Sequence, residues 1–173
     1  IGVGLIGGSF ALALRKAGLI KHITGVGRSQ ANMQRAVELG VIDEIATDIA
    51  SALNGADLVF LAMPVGQTAS TLEKITPHLH DNTLITDGGS TKQDVIAAAR
   101  HHLSMQSRHH FVPGHPIAGA EHSGVQAAQA DLYTHKHVIL TPLPETAVAA
   151  VERVQQLWQA CGAQVSIMSA DEH

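Results

Sequence analysis

Short runs of consecutive apolar residues alternate along the chain with longer stretches in which apolar positions return at helical spacing, the pattern of strands followed by helices. Ile1 reads as the last residue of a strand, and GVGLIGGSFALALRKAG turns directly into a helix ending at Gly18. HITGVG at 22–27 predicts a second strand and ANMQRAVELG a helix stopped by Gly40, after which VIDEIA and SALNGA give a short strand and a short helix. DLVFLAM at 57–63 is apolar almost throughout and suits a sheet centre covered on both faces. QTASTLEKITPHL is helical, NTLITD is the next strand and STKQDVIAAARHHL the next helix. HHFVPGHP leads through a short strand into a glycine-rich loop, GHPIAGAEHSG at 114–124. KHVILTP, ETAVAAVERVQQLWQACG and AQVSIM follow as strand, helix and strand, and SADEH resembles the capped start of another helix.

This alternation defines an α/β fold, a doubly wound and mostly parallel Rossmann sheet. The 173 residues fit one domain, large enough to bury roughly 70% of its unfolded surface. Aromatic residues are only 3% of the chain, so the core is expected to be built from Ala, Val, Ile and Leu. The chain opens on Ile1 rather than Met and stops at DEH without a turn, and it reads as part of a longer protein. The expected division is a dinucleotide-binding domain over 1–168, its first strand incomplete, and over 169–173 the start of a truncated helical domain.

A formal charge of −4 argues against nucleic acid as a partner. The longest apolar stretch, ADLVFLAMPV, is far short of the roughly 20 residues a membrane helix needs, so no membrane partner is expected. The single cysteine, Cys161, has no partner for an internal disulfide and fits a reducing cytoplasm, with a packing role expected. Twelve histidines invite a metal site, but the HH pairs lack a converging partner pattern and no metal is expected.

Gly2, Gly4 and Gly7 form G-x-G-x-x-G at a strand-to-helix turn, a cradle for a pyrophosphate at a helix N-terminus, with Leu5 and Ile6 in the same turn. The end of the second strand, where an acid would hold the ribose of NAD, reads GVGRSQ. Arg28 and Ser29 there favour NADP slightly, with NAD as the alternative. Met63, Pro64 and Val65 follow the central strand at the edge where dinucleotides lie and are expected to touch the cofactor. TDGGSTKQ places Asp87, Ser90 and Lys92 on the same edge; Ser90 is also a candidate helix cap, and Lys92 stands in a first turn, where the helix dipole disfavours a cation.

GVGLIGGS, DGGSTK and GHPIAGAEHSG in this order resemble the prephenate/arogenate dehydrogenase family of tyrosine biosynthesis, the last segment being the most specific. The resemblance covers the whole chain, and the terminal DEH resembles the family's junction with a helical dimerisation domain. It implies NAD(P)-dependent oxidative decarboxylation of prephenate to 4-hydroxyphenylpyruvate, or of arogenate to tyrosine, by a homodimer. It also implies that His115 is the catalytic acceptor for the substrate ring hydroxyl, that Ser90 hydrogen-bonds beside it and that Glu121 stands at the mouth of the site. His173 matches a histidine at the start of the substrate domain, whereas His122 is expected at the surface. A β-hydroxyacid dehydrogenase, a pyrroline carboxylate reductase or a cofactor-binding module without turnover would share the glycine turn; the two reductases would not be expected to carry HPIAGAEHSG.

Overall fold

A computed structural model describes residues 1–120 and 122–173. Helix α1 (Leu5–Lys16) leads through β1 (Thr24–Gly25), α2 (Gln30–Glu38), β2 (Glu44–Ile45) and α3 (Ile49–Leu53) to β3 (Leu58–Leu61). Then come α4 (Thr68–Ile75), β4 (Leu84–Asp87), α5 (Lys92–His102), α6 (Met105–His109), β5 (Phe111–Val112), β6 (Gly114–Pro116), β7 (His137–Leu140), α7 (Val148–Ala160) and β8 (Gln164–Ile167).

Strand β1 pairs with β2, β3 with β4 and β4 with β5, all in parallel. Ile1 joins the first two of these ladders. Its nitrogen donates to the Phe60 carbonyl at 2.8 Å and its carbonyl accepts from Ala62 N–H, while Gly2 N–H donates to the Val26 carbonyl. The order β2, β1, Ile1, β3, β4, β5 is that of the doubly wound dinucleotide fold. Ile1 thus holds the strand position expected of it.

The remaining strands form a ladder of their own, with β6 antiparallel to β7 and β7 parallel to β8.

Two apolar layers sandwich the sheet. Phe60 and Leu84 point to the layer under α1 and α7, while Val59, Leu61 and Ile85 point to the layer under α4 and α5. This alternation explains why the central strands are apolar on successive residues. The first layer corrects the expectation of an aliphatic core, because four of the five aromatic residues gather in it. Trp158, fully buried, lies with its ring centroid 4.4 Å from Phe10 and 5.0 Å from Tyr133, and Phe60 closes the group. Such pairs contribute about 0.5–1.5 kcal/mol each beyond the area they bury.

Other differences are local. Strands β1 and β2 are shorter than 22–27 and 41–46, since their ladder spans only two residue pairs. Pro77 stands within a separate 3₁₀ turn, Thr76–His78, that ends α4 early. Helix α6 was not expected; Ser104 accepts a hydrogen bond from Ser107 N–H and caps it. The opening residues of GHPIAGAEHSG are strand rather than loop, held by β7. Cys161 is buried at the end of α7, and burial pushes its thiol up to about 12, which makes it an inert packing group.

Candidate functional site

The turn before α1 is built by what its glycines leave out. Gly2 has φ +88°, a conformation that side chains rarely adopt, and a Cβ there would lie 2.6 Å from the Ala62 carbonyl carbon. A Cβ on Gly7 would lie 2.1 Å from the Gly2 oxygen, so the helix packs on the turn only with glycine. Gly4, the helix N-cap, faces open space, and no side chain caps it. No acidic residue stands in the first turn. Leu5, Ile6 and Gly7 therefore begin a helix whose leading N–H groups have no hydrogen-bond partner among the described residues, beside the open volume at Gly4, the arrangement that receives a phosphate.

Two segments distant in sequence frame this volume. Asn32 on α2 donates to the Val3 carbonyl at 2.7 Å and accepts from Val125 N–H at 3.1 Å, tying the glycine turn to the chain beyond GHPIAGAEHSG. Tyr133 donates to the Ile6 carbonyl and Ser9 accepts from Gln129 N–H. None of these three had a motif to mark it; only a polar residue among apolar ones on α1 hinted at Ser9.

At the ribose end, Arg28 is exposed. Ser29 caps α2 by accepting from Asn32 N–H, which leaves its hydroxyl proton free. Met63 and Val65 are half-buried after β3 and Pro64 is exposed, with Val65 opening a 3₁₀ turn. The Val65 side chain lies where a Cβ on Gly89 would come within 3.0 Å, and Ile6 stands in the same relation to Gly88. The DGGS segment is thus packed directly against the cradle and the loop after β3.

Ser90 does not cap α5. The cap is Thr91, which makes no capping hydrogen bond either, and Ser90 is exposed with its hydroxyl unpaired among the described residues. The chain turns out of β4 with Asp87 holding Gly89 N–H, which leaves Ser90 outside the capping position.

His115 sits in the middle of β6, opposite Ile139 of β7. Its Nδ1 lies 2.8 Å from Nε2 of His173. Burial, then the neighbouring His173 and Lys92, push the His115 ring below its ordinary value, so it is neutral at pH 7. Only one ring of the pair donates. If His115 donates through Nδ1, its Nε2 carries a free lone pair. His173 is delivered by a reciprocal cap: Ser169 N–H donates to Glu172 Oε2, Glu172 N–H donates to Ser169 Oγ, and His173 N–H donates to the Ser169 carbonyl. His122 is exposed, and Glu121 lies outside the described residues.

Beneath His115 lies a buried ion pair. Lys92 Nζ is 2.5 Å from Asp87 Oδ2 and 2.6 Å from the Gly114 carbonyl. Asp87 also accepts from Gly89 N–H at 2.8 Å and Gly114 N–H at 3.0 Å. Burial raises the Asp87 carboxyl and lowers the Lys92 ammonium, opposed by their mutual attraction. Asp87 meets donors only and Lys92 acceptors only, which suits the ionised pair.

A glycine cradle at a helix start, joined on the C-terminal edge of a doubly wound sheet to a neutral histidine and a free serine, defines a nucleotide-binding domain of the dehydrogenase type. Comparison with known proteins narrows the class. Residues 10–167 match the family described as prephenate dehydrogenase, nucleotide-binding domain, and the chain belongs to that family. It is 42% identical to prephenate dehydrogenase of Bacillus subtilis over 99% of this chain and 46% of that protein. It is 34% identical to cyclohexadienyl dehydrogenase of Zymomonas mobilis over 100% of this chain and 58% of that protein. The crystal structure of prephenate dehydrogenase from A. aeolicus in complex with hydroxyphenyl propionate and NAD+ superposes with a TM-score of 0.91 at 37% identity, covering 99% of this chain and 59% of that one. The chain spans about half the length of the curated relatives it matches.

Proposed function

We propose that this chain is the nucleotide-binding part of an NAD(P)-dependent dehydrogenase that oxidatively decarboxylates prephenate to 4-hydroxyphenylpyruvate, or arogenate to tyrosine. The observation that carries this reading is His115, half-buried and neutral beside His173, on the same sheet edge as the glycine cradle. The bound dinucleotide supplies the hydride acceptor. Gly2, Gly4, Leu5, Ile6 and Gly7 hold its pyrophosphate, and Met63, Pro64 and Val65 line its path along the edge. Arg28 and the free Ser29 hydroxyl proton favour a 2'-phosphate, hence NADP slightly over NAD.

Oxidation moves a hydride from the ring carbon that bears the hydroxyl, while carbon dioxide leaves and the ring becomes aromatic. The protein's task is to orient that carbon and to take the hydroxyl proton. His115 accepts the proton at Nε2, its Nδ1–H held by His173, and Ser90 hydrogen-bonds beside the same hydroxyl. Glu121 belongs at the mouth of the site. Acid–base assistance of this kind contributes about 10²–10⁴-fold.

The remaining relatives' length suggests that further substrate contacts and a dimer interface come from a segment beginning near 169–173, in a protein working in the cytoplasm. In the full-length protein, His115→Asn is expected to lower kcat by about 10²–10⁴-fold while the dissociation constant for NAD(P) stays near that of the parent. Turnover preserved in His115→Asn removes the histidine from this role.

A further inference from the structure

Lys92 carries its charge into the core: it is 1% exposed, at the first position of α5. Both facts run against elementary preference. A helix N-terminus disfavours a cation, and an ammonium taken out of water loses several kcal/mol of hydration that an apolar pair would not forfeit. A purely structural position gains little from such a pair.

Its partners show what the charge reaches. Asp87 Oδ2 accepts from Lys92 and from Gly89 N–H, one residue before Ser90. Asp87 Oδ1 accepts from Gly114 N–H, one residue before His115, and Lys92 takes the carbonyl of that same Gly114. Gly114 is gripped from both sides of its backbone, and a Cβ there would come within 2.9 Å of the Asp87 carbonyl. One ion pair therefore clamps the two backbones that present Ser90 and His115 without engaging either side chain.

We propose that Lys92 is a positioning residue: with Asp87 it locks the DGGS segment to β6 and so sets Ser90 and His115 against the substrate hydroxyl, given that His115 is the proton acceptor. A second consequence is electrostatic. Among the described residues the charged and titratable groups facing His115 are His173, Lys92 and, through Lys92, Asp87. The fixed cation opposes a proton on the ring and keeps it an acceptor into mildly acidic solution.

The test uses the full-length protein with Lys92→Met, Lys92→Gln and Lys92→Arg, each checked for a native melting transition. The measurements are kcat, KM, NAD(P) affinity and the pH profile of kcat/KM. A positioning role predicts that Lys92→Met and Lys92→Gln lower kcat by about 10²-fold, leave cofactor affinity within about twofold, and move the acid limb up. Lys92→Arg, which keeps the charge but not the grip, is expected to lower kcat with the limb in place. If Lys92→Met fails to fold, Lys92→Gln and Lys92→Arg carry the test. A folded neutral variant with parental kcat and an unmoved limb overturns the inference. His115→Asn run in parallel separates the two levels. Turnover retained in His115→Asn removes the acceptor itself, whereas turnover lost there but retained in the lysine variants removes only the role of Lys92.

Discussion

Around Gly2–Gly7 the chain holds no charged side chain and works by leaving space, with Gly4 facing an open volume at the head of α1. Around Asp87, Lys92 and His115 it buries a carboxylate and an ammonium and hangs an imidazole above them. The first region meets a ligand through backbone dipoles, so its requirements are steric and local. The second has to hold a proton acceptor at one place and in one state, so its requirements are electrostatic and drawn from β4, α5 and β6 together. If the two regions are as different as this, substitutions in them must fail in different ways.

The largest expected effect is at the ion pair. Asp87→Ala leaves the Lys92 ammonium buried without its counter-charge, and removal of one member of such a pair costs about 3–5 kcal/mol. Urea unfolding of the full-length protein measures it. A loss below about 1 kcal/mol would mean that water reaches Lys92 and that the clamp is weaker than its distances imply.

The cradle is expected to separate stability from binding. Gly7→Ala forces a methyl into the Gly2 carbonyl at 2.1 Å, and overpacking of this kind costs about 1–3 kcal/mol. Cofactor affinity falls with it, because the turn itself must shift. Gly4→Ala meets nothing within 4 Å, so its unfolding free energy should change by less than about 1 kcal/mol. Its methyl nevertheless occupies the volume proposed for the pyrophosphate. Calorimetric titration with NAD(P) is expected to show Gly4→Ala stable and weakly binding, the reverse of a packing defect.

The same contrast separates what is legible in the sequence from what is not. The glycine turn, the strand and helix alternation and the GHPIAGAEHSG segment are continuous in sequence, and their spacing carries their meaning. The clamp is not continuous: Asp87, Lys92 and Gly114 look like a strand end, a misplaced cation and a loop glycine until β4 and β6 are side by side. Ser90 was a plausible cap because serine caps helices, and only the Asp87–Gly89 hydrogen bond moved the cap to Thr91. The aromatic cluster is hidden in the sequence for a related reason. Phe10, Phe60, Tyr133 and Trp158 are scattered along the chain, and their scarcity concealed that they all meet on one face.

A smaller effect concerns protonation. Because burial, His173 and Lys92 lower the His115 value, the ring sheds its proton at a lower pH than free histidine, whose value is about 6.5. The acceptor form then persists as pH falls, and the acid limb of kcat/KM is expected to centre below about pH 6.5. An acid limb centred above that value would show a net anionic environment and would weaken the part assigned to the lysine.

The smallest expected effect lies at the exposed ribose end, where neither region's devices operate. Arg28 is solvated and Ser29 already uses its oxygen to cap α2. An exposed charge pair contributes up to about 1 kcal/mol, so Arg28→Ala should weaken NADP binding by roughly fivefold and leave NAD binding unchanged. Paired titrations of both cofactors at two salt concentrations check this, since a solvated contact with a 2'-phosphate fades as salt screens it. Equal NADP affinity before and after the substitution would leave the preference to groups other than Arg28. The cradle would be untouched by that result, because its donors are backbone N–H groups that no side-chain substitution at Arg28 removes.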